Sequence, residues 1–296
     1  MTTLSHPLFT RFDDSFSVHL SRNYNLFILA GRDRFSYCFS RVEDNCLIGL
    51  ESYSFSISDP QLSSENDSRE WCREVTQLLE NLDELKKPFH KVRIAVEYHK
   101  STFIPQELFT EGDEKELLLF NHAVEEFEIC RHEAVASVNA EIIYTLPSCI
   151  YSTLLSFFPE AEISHASGQM LENLLMISKE PAGNGMLYAN VGGGRVELIS
   201  IEKGKLRYLN NFQYRTREDL AYYIIFVMEQ LGLNPDAITL VLIGSIERES
   251  ERFELLYRYI RNISFIDQAL INASNQMAAN FPVPIYYNLL SFAKCV

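Results

Sequence analysis

One pattern occurs twice in this chain, and it constrains the fold more than any other feature. Leu29 to Tyr37 reads LAGRDRFSY and Asn190 to Leu198 reads NVGGGRVEL, which sets Gly31 against Gly192 and Arg34 against Arg195. Each lies between runs rich in aromatic and β-branched residues, the composition of strands. Each is followed by an acidic turn, EDN at 43–45 or EKGK at 202–205, and then by a third strand-like run. An amphipathic helix comes next, and after it a short apolar strand, VRIAV at 92–96 or ITLVLI at 238–243. Two α/β domains sharing an order by coincidence would produce the same succession. A repeat of this length is not a solenoid period. The adopted reading is an α/β chain of two duplicated β-β-β-α-β-α-β domains, in which three meandering strands lead into alternating helices and strands.

The element boundaries follow from composition and periodicity. Strands are predicted at 26–30, 35–42 and 47–55, with Phe16 to Leu20 as an added edge strand. A helix follows the polar loop 58–68, capped by Asp67 with Glu70 at its third position. Trp71, Val75, Leu78, Leu79, Leu82 and Leu85 form its apolar face, and Lys86 to Pro88 close it. The middle of the chain predicts strands at 127–138, 141–146 and 161–165, and helices at 148–158 and 169–177. KEPAGNG, at 179–185, reads as a linker. Strands at 186–191, 195–201 and 206–212 then restart the first pattern. Thr216 caps a helix that stops at Gly232 and Pro235. A strand at 238–243 and helices at about 249–260 and 284–296 complete the reading. The domains are therefore set at 1–180, with an insertion at about 106–146, and 185–296.

Charge and cysteine usage limit the function classes. The formal net charge is −14, with no run of Lys or Arg, so a phosphate backbone is repelled and nucleic acid is not an expected partner. The six cysteines make no CxxC pair, and scattered thiols fit a reducing compartment, so a cytoplasmic setting is expected. Residues 1–14 lack a charged segment followed by an apolar one, so no secretory leader is expected. The longest apolar run, Leu220 to Met228, is about half of the ~20 residues a spanning helix needs. The apolar C-terminal helix carries Lys294 as its one cation, whereas a lipid-binding helix is basic on its polar face. It is expected to pack back onto the fold, and no membrane partner is expected.

The triple glycine joins two strands rather than opening a helix. Glycine tolerates positive φ, and successive free N–H groups form an anion nest. Here the chain resembles the superfamily of actin, sugar kinases and heat-shock chaperone ATPases, with RNase H-like domains. In that superfamily a D-L-G-G-G-T hairpin turn cradles ATP phosphates, and Asn190, Val191, Gly192, Gly193, Gly194 and Arg195 occupy its place. Leu242, Ile243, Gly244 and Ser245 occupy the place of the turn that contacts adenosine. CLIGLESYSF, at 46–55, is similar to a bacterial family of unknown function with this actin-like ATPase fold. The resemblance implies a nucleotide site at Asn190, Gly192, Gly193, Gly194, Arg195, Gly244 and Ser245.

The departures from that pattern point away from catalysis. Leu29 stands where the first phosphate turn has an aspartate, and Asn190 where the second has one. Mg²⁺ takes carboxylate oxygens and water, and phosphoryl transfer depends on positioned charge and metal. No catalytic or metal-ligating residue is therefore assigned and no cofactor is expected, ATP with Mg²⁺ being the alternative. Arg195 is either a solvent-facing turn residue or an anion ligand beside the glycine nest. Cys130 and His132 share a strand face but have no second pair to complete a metal site. The expectation is a vestigial nucleotide site in a non-catalytic binding or scaffold protein that recruits a protein partner. A nucleotide-binding switch or kinase-like protein with atypical phosphate ligands is the alternative.

Overall fold

The computed structural model describes residues 6–55, 64–178, 185–267 and 282–294. In the first half, β1 (Phe9–Phe12), β2 (Tyr24–Ala30), β3 (Arg34–Arg41) and β4 (Leu47–Ser54) precede helix α1 (Glu65–Asn81) and strand β5 (Lys91–Val96). The middle contains β6 (Ser101–Pro105), α2 (Glu114–Leu119), β7 (Glu128–Val135), β8 (Ala140–Pro147), α3 (Ser148–Phe157), β9 (Glu162–His165) and α4 (Ala166–Ile177). The second half comprises β10 (Met186–Val191), β11 (Arg195–Glu202), β12 (Lys205–Gln213), α5 (Arg217–Gln230), β13 (Thr239–Gly244), α6 (Glu251–Tyr257), β14 (Asn262–Phe265) and α7 (Val283–Lys294).

Apart from the extra edge strand β1, the two large sheets share an order. The first runs β1-β4-β3-β2-β5-β9 and the second β12-β11-β10-β13-β14. In each, an antiparallel meander of three strands is extended by two parallel strands reached through helices. A third sheet, β6-β8-β7, stands apart from both.

Strands buried on both faces carry continuous apolar runs, because each face needs its own cover. In β2, Leu26 and Ile28 join a core completed by α1 and α3, while Phe27 and Leu29 face the opposite way. In β10, Leu187 and Ala189 face the α5 and α6 side, and Tyr188 faces inward. The inward faces of both sheets enclose α4 and α7, with Leu171, Leu174, Tyr287 and Phe292 almost fully buried. The C-terminal helix thus packs into the core between the sheets, as its poverty in cations led one to expect.

Several sequence expectations need correction. Phe16 to Leu20 is not an edge strand: β1 takes that place and Val18–Asn23 is a 3-10 helix. The cap of α1 is Ser64, not Asp67. Ser64 and Asp67 form a reciprocal capping box that starts the helix a turn earlier than its apolar stripe suggests. α1 ends at Asn81, and Asp83–Lys86 forms a separate 3-10 turn. Strands β6 and β14 escaped the sequence reading, being only five and four residues long. The 179–184 part of the linker reading lies outside the described residues. Thr216 caps α5 through a box with Asp219, as its spacing predicts.

Candidate functional site

The two repeated segments become matching hairpin turns that face each other. Gly31 N–H donates to the Arg34 carbonyl at 2.8 Å, and Gly192 N–H donates to the Arg195 carbonyl at 2.8 Å. The turns are anchored alike: Phe55 N–H donates to the Asp33 carbonyl, and Tyr214 N–H to the Gly194 carbonyl, both at 2.9 Å. Gly194 has φ of +72° and Gly244 of +88°, a region in which only glycine is at ease. A Cβ on Gly244 would also fall 2.2 Å from the Val191 carbonyl oxygen. Glu97 and Ser245 follow β5 and β13 at equivalent places, their N–H groups donating to Ala30 and Val191 carbonyls.

The sequence-predicted residues Asn190, Gly192, Gly193, Arg195, Gly244 and Ser245 line one cavity between the halves, and Gly194 completes the adjoining turn. Leu29, Arg32, Asp33, Arg34, Glu97, Tyr286 and Asn288 line it too, and the sequence reading assigned none of these except Leu29 a place there. The Asn288 amide, on α7, donates to Glu97 Oε1 at 2.7 Å and lies 3.5 Å from Asn190 Oδ1. Two arginines cross the cleft in opposite directions. Arg32 Nη2 donates to the Gly193 carbonyl at 2.9 Å, and Arg195 Nη1 donates to the Tyr98 carbonyl at 3.1 Å. Arg195 is 6% exposed, which overturns the solvent-facing reading. Its Nη2 stands 4.0 Å from the buried Glu197 carboxylate.

The cavity itself is about 60 Å³, small beside the ~300–1,000 Å³ of typical small-molecule pockets. Arg32 and Asp33 occupy the space in front of the triple glycine: a Cβ on Gly193 would lie 2.6 Å from Asp33 Oδ2. Burial pushes the Arg32 guanidinium down to about 10, and the neighbouring positive charge of Arg195 adds to this. Its Nη1 is buried without a hydrogen-bond partner among the described residues. At the foot of the first turn, Trp71 Nε1 donates to the Gly31 carbonyl at 2.9 Å. His132 bonds Glu141 at 3.2 Å, and no group of three or more potential metal ligands converges among the described residues.

Paired sheets of one order, closing on a cleft through a hairpin turn from each, define an actin-like ATPase fold. The chain belongs to the protein family of unknown function DUF3822, whose family model matches residues 13–263. No curated protein sequence matches it. Among solved structures it is similar to a Bacteroides thetaiotaomicron protein with actin-like ATPase fold and unknown function. That likeness has a TM-score of 0.79 and 22% identity, and covers 95% of this chain and 99% of the other. It is also similar to a chain of the PilM-PilN type IV pilus biogenesis complex, with a TM-score of 0.61, 12% identity, and coverage of 93% and 98%.

Proposed function

We propose that this protein is a non-catalytic, actin-like binding or scaffold protein whose nucleotide cleft is closed by its own side chains. The Arg32 bond to the Gly193 carbonyl carries this reading, because it places a guanidinium where phosphates would meet the glycine turn. Three further features support it. Leu29 and Asn190 stand where metal-side aspartates would be needed, and neither supplies a carboxylate. The cavity is too small for a nucleotide. Arg195, the residue at the hydroxyl position of the turn, is committed to the Tyr98 carbonyl. The residues present do not fit magnesium-ATP in this arrangement. A protein partner is the kind of ligand left to such a scaffold, and a relative by fold is found in a complex of two pilus-biogenesis proteins. The described cysteines are free thiols, which suits a reducing, cytoplasmic setting.

One observation favours a nucleotide switch instead. Asp33 and Glu97 bring two carboxylates into the cleft that no aspartate-glycine motif announces. A thermal-shift titration separates the readings, since a ligand that binds only the folded state raises its melting temperature. Saturating ATP or ADP with Mg²⁺ is expected to leave Tm unchanged. A rise of about 3 °C or more would establish nucleotide binding and end the closed-cleft reading.

A further inference from the structure

His99 and Lys100 follow directly on Tyr98, whose carbonyl receives the Arg195 bond, and they line a second opening of about 610 Å³. Its opposite wall is the end of β12, Asn211 to Gln213, with Arg215 and Tyr223 beside it. Among the described residues β12 is the outermost strand of its sheet and pairs with β11 alone. The Tyr214 N–H bond to the Gly194 carbonyl fixes which backbone groups point inward. By the alternation of antiparallel ladders, the N–H and C=O of Asn211 and Gln213 then point away from β11. The Asn211 N–H takes the neighbouring Asn210 side chain at 2.9 Å, a substitute for a strand partner.

The chemistry of this groove is unlike that of the chain as a whole. The protein carries a net charge of −14, yet Asp219 is the one carboxylate among the described lining residues. Its Oδ2 is held by the N–H groups of Arg215 and Thr216. Arg215 is exposed, and Lys100 lies against the buried Glu128 at 2.9 Å. His99 is 7% exposed, and its Nδ1 has no hydrogen-bond partner among the described residues. Burial, and after it the charges of Arg32, Arg195 and Lys100, push its imidazole down to about 3, so His99 stands in the groove as a neutral ring. Phe212 and Tyr223 stack at 4.8 Å to give the groove an aromatic floor.

We infer that this groove docks an acidic, extended segment of a partner protein, which adds to the outer edge of β12 and sets a carboxylate against the exposed Arg215. Strand addition would pair the remaining outward backbone groups and displace the Asn210 amide from the Asn211 N–H, and the aromatic pair would take alternate apolar side chains. Charge complementarity selects the occupant: Lys100 and Arg215 outnumber Asp219 along the groove, whereas two whole copies of this chain, each of net charge −14, repel one another. The inference rests on the binding-protein reading and names the site and the partner chemistry.

The test is fluorescence anisotropy of the full chain with a labelled peptide of about eight residues alternating Glu and Val. Saturable, salt-sensitive binding is expected, with no binding of the Lys and Val counterpart. Arg215→Glu in the protein, or N-methylation of alternate peptide amides, is expected to weaken binding by about tenfold or more. Gln213→Pro, checked by thermal melting for an intact fold, should do the same from the protein side. Equal binding of the basic peptide, or no effect of N-methylation, would overturn strand addition. Self-association that Arg215→Glu abolishes would instead assign the groove to a second copy. A failed peptide titration leaves the nucleotide thermal shift untouched, so the groove and the closed cleft stand or fall separately.

Discussion

Glu133 on β7 is partly buried, and its Oε1 accepts the His165 N–H at 3.1 Å. Burial raises its carboxyl from 4.5 to about 7, and Glu172 adds to the rise. The folded protein therefore holds this proton where the unfolded chain has lost it. The stabilisation is complete below about pH 4.5 and disappears as pH rises through 7, to a total of up to about 3 kcal/mol. His99 and His165, both depressed to about 3 by burial, act in the opposite sense: their contribution is present above about 6.5 and lost toward 3. The informative quantity is consequently the difference between wild type and Glu133→Gln, whose amide oxygen still accepts from His165. Urea unfolding should show wild type losing stability relative to the variant between pH 5 and 7, and a flat difference would contradict this assignment. Nothing in the sequence marks Glu133. Its environment comes from α4, where a Cβ on Gly168 would fall 2.9 Å from the same oxygen.

At the level of elements, the hairpin turns differ in how much they tolerate. Val191 and Gly244 are neighbours in the parallel β10 and β13 pair, so a side chain at 244 meets backbone that cannot move. Gly244→Ala is expected to cost about 3 kcal/mol or more, from positive φ and collision together. Gly193→Ala meets the end of the Asp33 side chain, which can rotate away, and should cost within about 1 kcal/mol. Equal losses in urea titrations would mean that Asp33 is as fixed as the backbone. These turns were legible because glycine marks them locally. So was the α5 cap, since Thr216 and Asp219 lie three residues apart. The start of α1 was misplaced because its first turn, ENDSRE, is polar throughout and adds nothing to the apolar stripe. β6 ends at Pro105 and spans five residues, too few for alternation to stand out.

For the molecule as a whole, the cleft is assembled from segments that no local motif connects. Asn288 and Glu97 are 191 residues apart, and they meet because α7 runs between the sheets. Sequence spacing therefore yielded the second turn, Asn190 to Arg195, but not the opposing Arg32 and Asp33, nor Glu97, nor Asn288. Arg32 lies in the polar stretch GRDR at 31–34, and only the approach of the second turn gives it a carbonyl to bind. The reverse holds for Arg195, whose burial follows from the position of Tyr98 on the other half.

The chain's one tryptophan, Trp71, is tied by its indole to the carbonyl of Gly31, the residue before Arg32. The protein thus contains its own optical probe beside the Arg32–Gly193 contact. Emission from this 1% exposed ring should lie toward the blue and resist quenching by iodide. Any occupant that lifts Arg32 off Gly193 must disturb the ring's surroundings, so a titration needs no dye at the cleft. An emission spectrum already at the position of free tryptophan in water would mean that the first turn is open in solution.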